Sequence, residues 1–302
     1  VDQPRSCNRQ FKYSASMKVS GFTFLRNAVI NGYPFEESIR SILPIVDEFI
    51  CVIGESQDET RARVAAIGCK KIRMVDSQWN ESMQDRGFVY GQQKMIAQYN
   101  CSGDWAFYLE GDEVLHEAEV GQIRQTMQDN LSDLDVEALY FDFFHFYGTP
   151  EQVGIAGYRR APRIIRNSIR TIAPDGLFWV VMDRNKKGRY PSAKHAGGNI
   201  YHYGHCRSVS KMSEKLNQVG KYWGSSHKEF QSYGSIDIAE LRPFTGSHPE
   251  LMEDWIASAA ERTFIQDPNY RLSRRDRRNR LRFWLEEKLG IEISKKHYRS
   301  LD

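Results

Sequence analysis

Between Lys18 and Gln128 the chain changes its hydrophobic period repeatedly. Apolar runs of strand length at residues 18–24, 47–53, 70–75 and 105–109 alternate with stretches whose apolar residues recur at helical spacing. The connections are too long for hairpins and long enough for a crossover helix, so the strands are expected to pair in parallel. The pattern predicts an α/β fold, a mostly parallel sheet with helices on its faces. In such a sheet ligands bind beyond the carboxyl ends of the strands, so the residues just after each strand carry the functional reading.

The helix signals agree with this rhythm. Pro34 stands at a helix's first position, with Glu36 and Glu37 in the first turn, Ile39, Ile42 and Leu43 on the apolar face and Pro44 as a stop. Ser56 and Glu59 have the spacing of a capping box for a helix that runs through Ile67 and ends at Gly68. Residues 84–99 have helical spacing, and another helix is expected from about Val114 to Gln128. After Val136 the rhythm changes. Residues 137–147, 162–165 and 179–182 read as strands that finish the sheet, and beyond Ser210 the chain turns helical and polar. The expected division is a tail at 1–16, an α/β catalytic domain at 17–215 and a helical C-terminal appendage at 216–302.

Charge and cysteines narrow the class. A net charge of +3 is too small for the chain as a whole to bind nucleic acid. The 5 cysteines contain no CxxC and read as reduced thiols of a cytosolic protein. No apolar run reaches the roughly 18 residues of a membrane span, and no signal peptide pattern opens the chain. The expected location is the cytoplasm.

After strand one comes Leu25-Arg26-Asn27 without a GxGxxG, which removes the main support for a dinucleotide fold. After strand two comes Gly54-Glu55-Ser56-Gln57-Asp58-Glu59-Thr60, whose acceptors suit a base and ribose or, equally, a helix cap. After strand four comes Glu110-Gly111-Asp112-Glu113. Three carboxylates so close repel one another unless a cation holds them. Hard oxygen donors in this pattern suit Mg²⁺ or Mn²⁺, and the alternative is an acidic helix start. His202, close to His205 among aromatics, is able to complete such a site or to serve as a structural hydrogen bonder. Residues 158–166 carry four arginines and no acid, a basic edge strand or a place for phosphates.

Taken in order, residues 18–27, the helix entered at Tyr33-Pro34 and residues 54–60 resemble the start of family 2 glycosyltransferases of the GT-A fold. Residues 103–113 look like their metal-binding DxD segment, and residues 163–167 and 200–204 are similar to sequences in a bacterial branch. The resemblance spans about 17–215 and implies a nucleotide-diphosphate-sugar donor, a glycan or lipid-linked acceptor, Mn²⁺ or Mg²⁺, and inversion at the sugar. It places the Asp58 region at the nucleotide base, Asp112 on the metal directly or through water with Glu110 beside it, and His202 at the late metal-binding position; Asn27, Glu55, Glu110 and Arg163 are further expected donor contacts. Glu110 stands where the family has Asp. No clean copy of the family's base motif occurs; Asp175 is the expected base, with Asp142 and Asp183 competing. A nucleotidyltransferase that makes nucleotide sugars and a non-catalytic nucleotide-sugar-binding module are the alternatives.

Residues 271–282 hold seven arginines, followed by Leu281, Trp284, Leu285 and Leu289 at helical spacing. Two readings stand: a helix lying on an anionic membrane surface at the inner face, or a helix docked on the domain by Trp284 and Leu285.

Overall fold

The computed structural model describes residues 17–223, 230–259 and 263–302. Four parallel strands form the first half of one large sheet: β1 (Val19–Leu25), β2 (Glu48–Gly54), β3 (Ile72–Ser77) and β4 (Trp105–Tyr108). Helices α1 (Phe35–Ile42), α2 (Thr60–Ala66), α3 (Phe88–Tyr99) and α4 (Val120–Asp129) join and cover them. After β4 come the short β5 (Glu113–Val114), then β6 (Ala138–Tyr147), β7 (Thr149–Gly154) and β8 (Arg160–Arg166). A small separate sheet holds β9 (Thr171–Ile172), β10 (Val180–Met182) and β11 (Gly188–Arg189). The 14-residue β12 (Ser192–His205) returns to the main sheet beside β6. The remaining elements are α5 (Val209–Gly220), β13 (Leu241–Pro243), α6 (Glu253–Ala259), α7 (Arg274–Leu289) and β14 (Arg299–Ser300).

The order along the sheet is β13-β7-β6-β8-β4-β1-β2-β3, with β12 joined to β6, β5 and β14. Of its 11 strands only β5, β7 and β8 run against the rest, so the sheet is mostly parallel. Two apolar layers pack on it. One joins Phe35, Ile39 and Ile42 of α1 to Val19, Trp105 and Ile164, and the other joins Met95 and Ala97 of α3 to Phe22, Ile50 and Tyr108. The alternating periods of the sequence therefore become strands buried on both faces between helices.

Several local expectations fail for identifiable reasons. The proline stop is not among them: α1 ends at Ile42, ahead of Pro44, and the chain passes into a 3₁₀ turn at Leu43–Ile45. The capping box at Ser56 and Glu59 does not form. Ser56 Oγ donates to the Gly54 carbonyl at 2.9 Å, and α2 starts at Thr60, whose amide bonds Asp58 at 3.0 Å. The helix expected from Val114 begins at Val120, because Glu113 and Val114 pair with β12. The polar C-terminal stretch is not all helix: β13 extends the sheet beside β7, and β14 pairs with β12.

Of the two residues expected to dock α7, Leu285 is partly buried and Trp284 is not. Trp284 is 54% exposed. The helix is held by Asn279 on Glu240, by the Arg280 fork on Asp237 at 2.6 and 2.7 Å, and by Arg282 on the Ala156 carbonyl. Cys51 and Cys206 are buried free thiols, Cys69 and Cys101 are partly buried, and Cys7 lies outside the described residues. No helix among the described residues is long and apolar enough to cross a membrane.

Candidate active site

The turn after β4 is pinned from three sides. Thr23 Oγ1 of β1 donates to the Leu109 carbonyl at 2.7 Å, Ser38 Oγ of α1 donates to the Glu110 carbonyl, and the Glu113 amide closes the turn on Glu110 O at 3.0 Å. Gly111 is needed for closeness, since a Cβ there would press on the Leu25 side chain at 2.8 Å. The turn carries Glu110 and Asp112 onto the floor of a cavity of about 630 Å³ at the carboxyl ends of β1 and β4.

β12 supplies the third group. His202 lies opposite Glu113 of β5 on one side and His145 of β6 on the other. One ligand atom each of Glu110, Asp112 and His202 falls within 4.8 Å of the others. Gly204 leaves them room, because a Cβ there would collide with the His202 ring and crowd Asp112 Oδ2.

The charges around this turn are mostly paired. Asp112 is 3% exposed, and its Oδ2 accepts from Lys215 Nζ of α5 at 2.9 Å and from Arg207 at 3.3 Å. Burial alone would raise its pKa, but Lys215, His202 and Arg207 outweigh burial and hold it well below the carboxylate range. Glu113 is fully buried against the fully buried Arg163, which donates from Nε at 2.7 Å and from Nη2 at 2.5 Å. Arg163 Nη2 also reaches Glu110 Oε1 at 3.2 Å. Burial and the Glu113 charge push Glu110 up to about 7, against the pull of Arg163. Beneath the site, the fully buried Lys94 donates to the Gly176 carbonyl at 3.0 Å over the Trp179 ring, and burial lowers its pKa strongly.

The residues fit a divalent ion on one further observation. His145 Nε2 lies 2.8 Å from the Tyr158 carbonyl, and that oxygen only accepts, so Nε2 carries the proton. Burial and the neighbouring His202 keep His145 neutral, pushing its pKa well below the ordinary value. Its Nδ1 is then an acceptor, 2.7 Å from His202 Nδ1, which must donate. In its neutral form His202 has its lone pair on Nε2, facing Asp112 Oδ1 at 3.6 Å, and a proton there turns the same contact into the ion pair that holds Asp112 down. The neutral ring and the carboxylate then present two electron-rich atoms that suit a cation between them, proton or metal, and a second hydrogen bond that sets the ligand tautomer is usual for metal-bound histidine.

An aromatic wall rises beside this floor. Phe24, Trp79, Tyr90, Tyr222 and Trp223 all line the cavity, with Trp79 and Tyr90 edge to face at 5.3 Å and the Arg26 guanidinium over Trp79 at 5.3 Å. Arg26 and Lys221 share Glu81, and Arg26 also donates to Tyr222 at 2.7 Å. A second cavity of about 580 Å³ shares Tyr158 and His202 with the first and is also lined by His205, Glu240 and the first turn of α7.

The residues expected from the sequence distribute unevenly. Glu110, Asp112, His202 and Asn27 line the cavity. Arg163 does not line it, because its guanidinium is committed to Glu113, Glu110 and the Leu177 carbonyl. Glu55 and Asp58 line a separate hollow of about 520 Å³ beyond β2 and β3, and Asp58 bonds Thr60 and the Ile30 amide. Asp175 sits beside the cavity-lining Gly176, with Oδ1 closing its own turn on the Leu177 amide at 2.8 Å. Asp142 pairs with Arg160 and His195, and Asp183 closes a hairpin by accepting from the Lys187 amide. Sequence reasoning missed His145, Tyr158, Arg207 and Lys215, single residues whose partners lie far away in the chain. The aromatics carried only a compositional signal.

No protein-family model matches the chain, and none of the curated proteins does. Among solved structures, S. aureus TarS overlaps 50% of this chain and 29% of its own at 17% identity, with a TM-score of 0.34. Glucosyl-3-phosphoglycerate synthase from Mycobacterium tuberculosis, in complex with Mn²⁺, UDP-glucose and phosphoglyceric acid, overlaps 43% of this chain and 44% of its own at 21% identity, with a TM-score of 0.32. The chain thus spans less than half the length of either protein. Overlaps this partial and this distant carry no argument about activity.

Proposed function

We propose that the protein is a metal-dependent glycosyltransferase that takes its sugar from a nucleoside-diphosphate donor. The observation that carries this reading is the convergence of Glu110, Asp112 and His202 on the floor of a cavity walled by aromatic rings. The base would stack on the Trp79 and Tyr222 side of that wall, and Asn27 would meet the ribose. Glu110, Asp112 and His202 would hold Mn²⁺ or Mg²⁺. Such an ion, when bound, offsets the charge that develops on a diphosphate leaving group.

The chain's own residues do the rest. Lys215 and Arg26 face the cavity and supply positive charge to the phosphates. Arg163 neutralises Glu113 beneath the floor, so that Glu110 and Asp112 are the acids that face the ligand. A carboxylate removes the proton from the acceptor hydroxyl in an inverting transfer. Asp175 is the proposed base, placed by the loop whose Gly176 carbonyl Lys94 holds. The acceptor, a glycan or lipid-linked sugar, would enter from the second cavity, which reaches the metal floor at His202.

Isothermal titration of sugar nucleotides with and without Mn²⁺ tests the donor assignment. Mn²⁺-dependent binding that His202→Ala weakens at least tenfold is the expected result. Donor affinity indifferent to both the ion and His202 overturns the reading.

A further inference from the structure

The outward side of α7 takes no part in the site. Arg274, Arg277 and Arg278 are exposed, and none of the three has an ion pair among the described residues. Steps of three and four along the helix carry the same side on to Leu281, Trp284, the partly buried Leu285 and Leu289, with Leu281, Trp284 and Leu289 exposed by 58, 54 and 60%. After the Gly290 cap, Ile291 and Ile293 are exposed as well. The opposite side holds the helix to the protein through Asn279 on Glu240 and Glu286 on Arg159 at 2.5 Å, while Asp276 bonds Tyr270 just ahead of the helix. Glu287 is the one acid of α7 near the outward side, at its edge beside Trp284.

We propose that this side of α7 is a docking surface for an anionic phospholipid bilayer. The helix would lie along the interface, with the arginines among headgroup phosphates and Leu281, Trp284 and Leu289 in the acyl boundary. Two features select a lipid surface over other anions. Unpaired guanidiniums alone suit any polyanion, but large apolar side chains interleaved with them gain only where an apolar medium lies behind the charge. The net charge of +3 also makes the attraction local to this face, not a property of the whole chain. The pairing of Arg280 with Asp237 and of Arg159 with Glu286 presents the surface already folded, so docking requires no ordering of the helix. The proposal stands apart from the transferase reading, and each can fail while the other holds.

Vesicle flotation of the full chain tests it, with phosphatidylcholine alone and with added phosphatidylglycerol. The expected result is binding only to the anionic vesicles, falling steeply with salt. Each basic residue at such a surface is worth about fivefold in partitioning. The combined variant Arg274→Ser, Arg277→Ser, Arg278→Ser is therefore expected to lose on the order of 100-fold. Trp284→Ser with Leu281→Ser is expected to lose binding too. All five residues are exposed, so both variants should keep the wild-type melting temperature, and a melting scan confirms it. Flotation unchanged by both variants, or equal on neutral vesicles, overturns the proposal. So does a dimer by light scattering that Trp284→Ser dissociates, which would give this face to a second copy. RNA retention that needs the same arginines, without flotation, overturns it as well.

Discussion

Replacing His145 by Phe tests the tautomer argument at its base. The substitution removes the acceptor for His202 Nδ1–H, which lies 2.7 Å from His145 Nδ1, and the donor to the Tyr158 carbonyl. His202 is then free to move its proton to Nε2 and donate it towards Asp112, which takes away the lone pair that would bind a metal. Loss of a hydrogen-bonding partner behind a ligating histidine typically weakens metal binding by about 10–100-fold, or about 1.4–2.7 kcal/mol. The measurement is the free Mn²⁺ signal by electron paramagnetic resonance during titration of the protein without nucleotide. His145→Gln, whose amide has an acceptor and donors of its own, is expected to keep Mn²⁺ affinity within about threefold of wild type. Melting temperatures of both variants separate a metal effect from a folding effect. Unchanged affinity in His145→Phe refutes the relay, and so does a loss in His145→Gln as large as that in His145→Phe.

Three further outcomes follow from the same contacts. Arg163→Met strands the fully buried Glu113 carboxylate and is expected to cost about 3–5 kcal/mol in urea unfolding, far more than loss of an exposed arginine. Trp79→Ala is expected to weaken nucleotide binding by about 1–3 kcal/mol in calorimetry, the usual worth of one base on an aromatic ring. Asp237 carries the pH prediction. The Arg280 fork, with the Ala239 amide and against burial, lowers the Asp237 pKa. A depressed carboxylate stabilises the fold above its ordinary pKa near 4 and loses that stabilisation as pH falls through the folded value. Asp237→Asn should therefore melt below wild type at neutral pH, and the gap should close on acidification.

The strands that lead to the site were legible because period is a local property. Residues 18–24 and 105–109 are apolar runs with helical stretches between them, and the structure makes them β1 and β4. β12 was not read as a strand. Its stretch, SAKHAGGNIYHYGH, is rich in Gly, Ala and His, and pairing with β6 overrides its weak propensity. The acids after β4 were legible as a cluster, but their division was not. That Glu113 is neutralised by Arg163 while Glu110 and Asp112 face the cavity depends on β8 lying next to β4. Lys215 on Asp112 joins residues about a hundred apart, which no local pattern records. At Asp58 the two readings of the sequence stay side by side: its carboxylate closes its own turn on Thr60 and also lines the hollow beyond β2 and β3. For α7 the run of arginines was visible, but which side faces solvent follows only from Asn279 and Arg280 holding the other.

Asp112 also carries structural weight, since Lys215 and Arg207 lean on it, so its replacement would disturb folding and chemistry together. Glu110 is the cleaner probe, its carboxylate partly open to the cavity and, among the described side chains, bonded to Arg163. The decisive measurement is release of nucleoside diphosphate from a panel of sugar nucleotides, with and without Mn²⁺, by the wild type and by Glu110→Gln. The account predicts slow Mn²⁺-dependent release from at least one donor even without acceptor, lowered at least tenfold in Glu110→Gln while the melting temperature holds. Release from no donor, or pyrophosphate produced from a nucleoside triphosphate and a sugar phosphate, would contradict it.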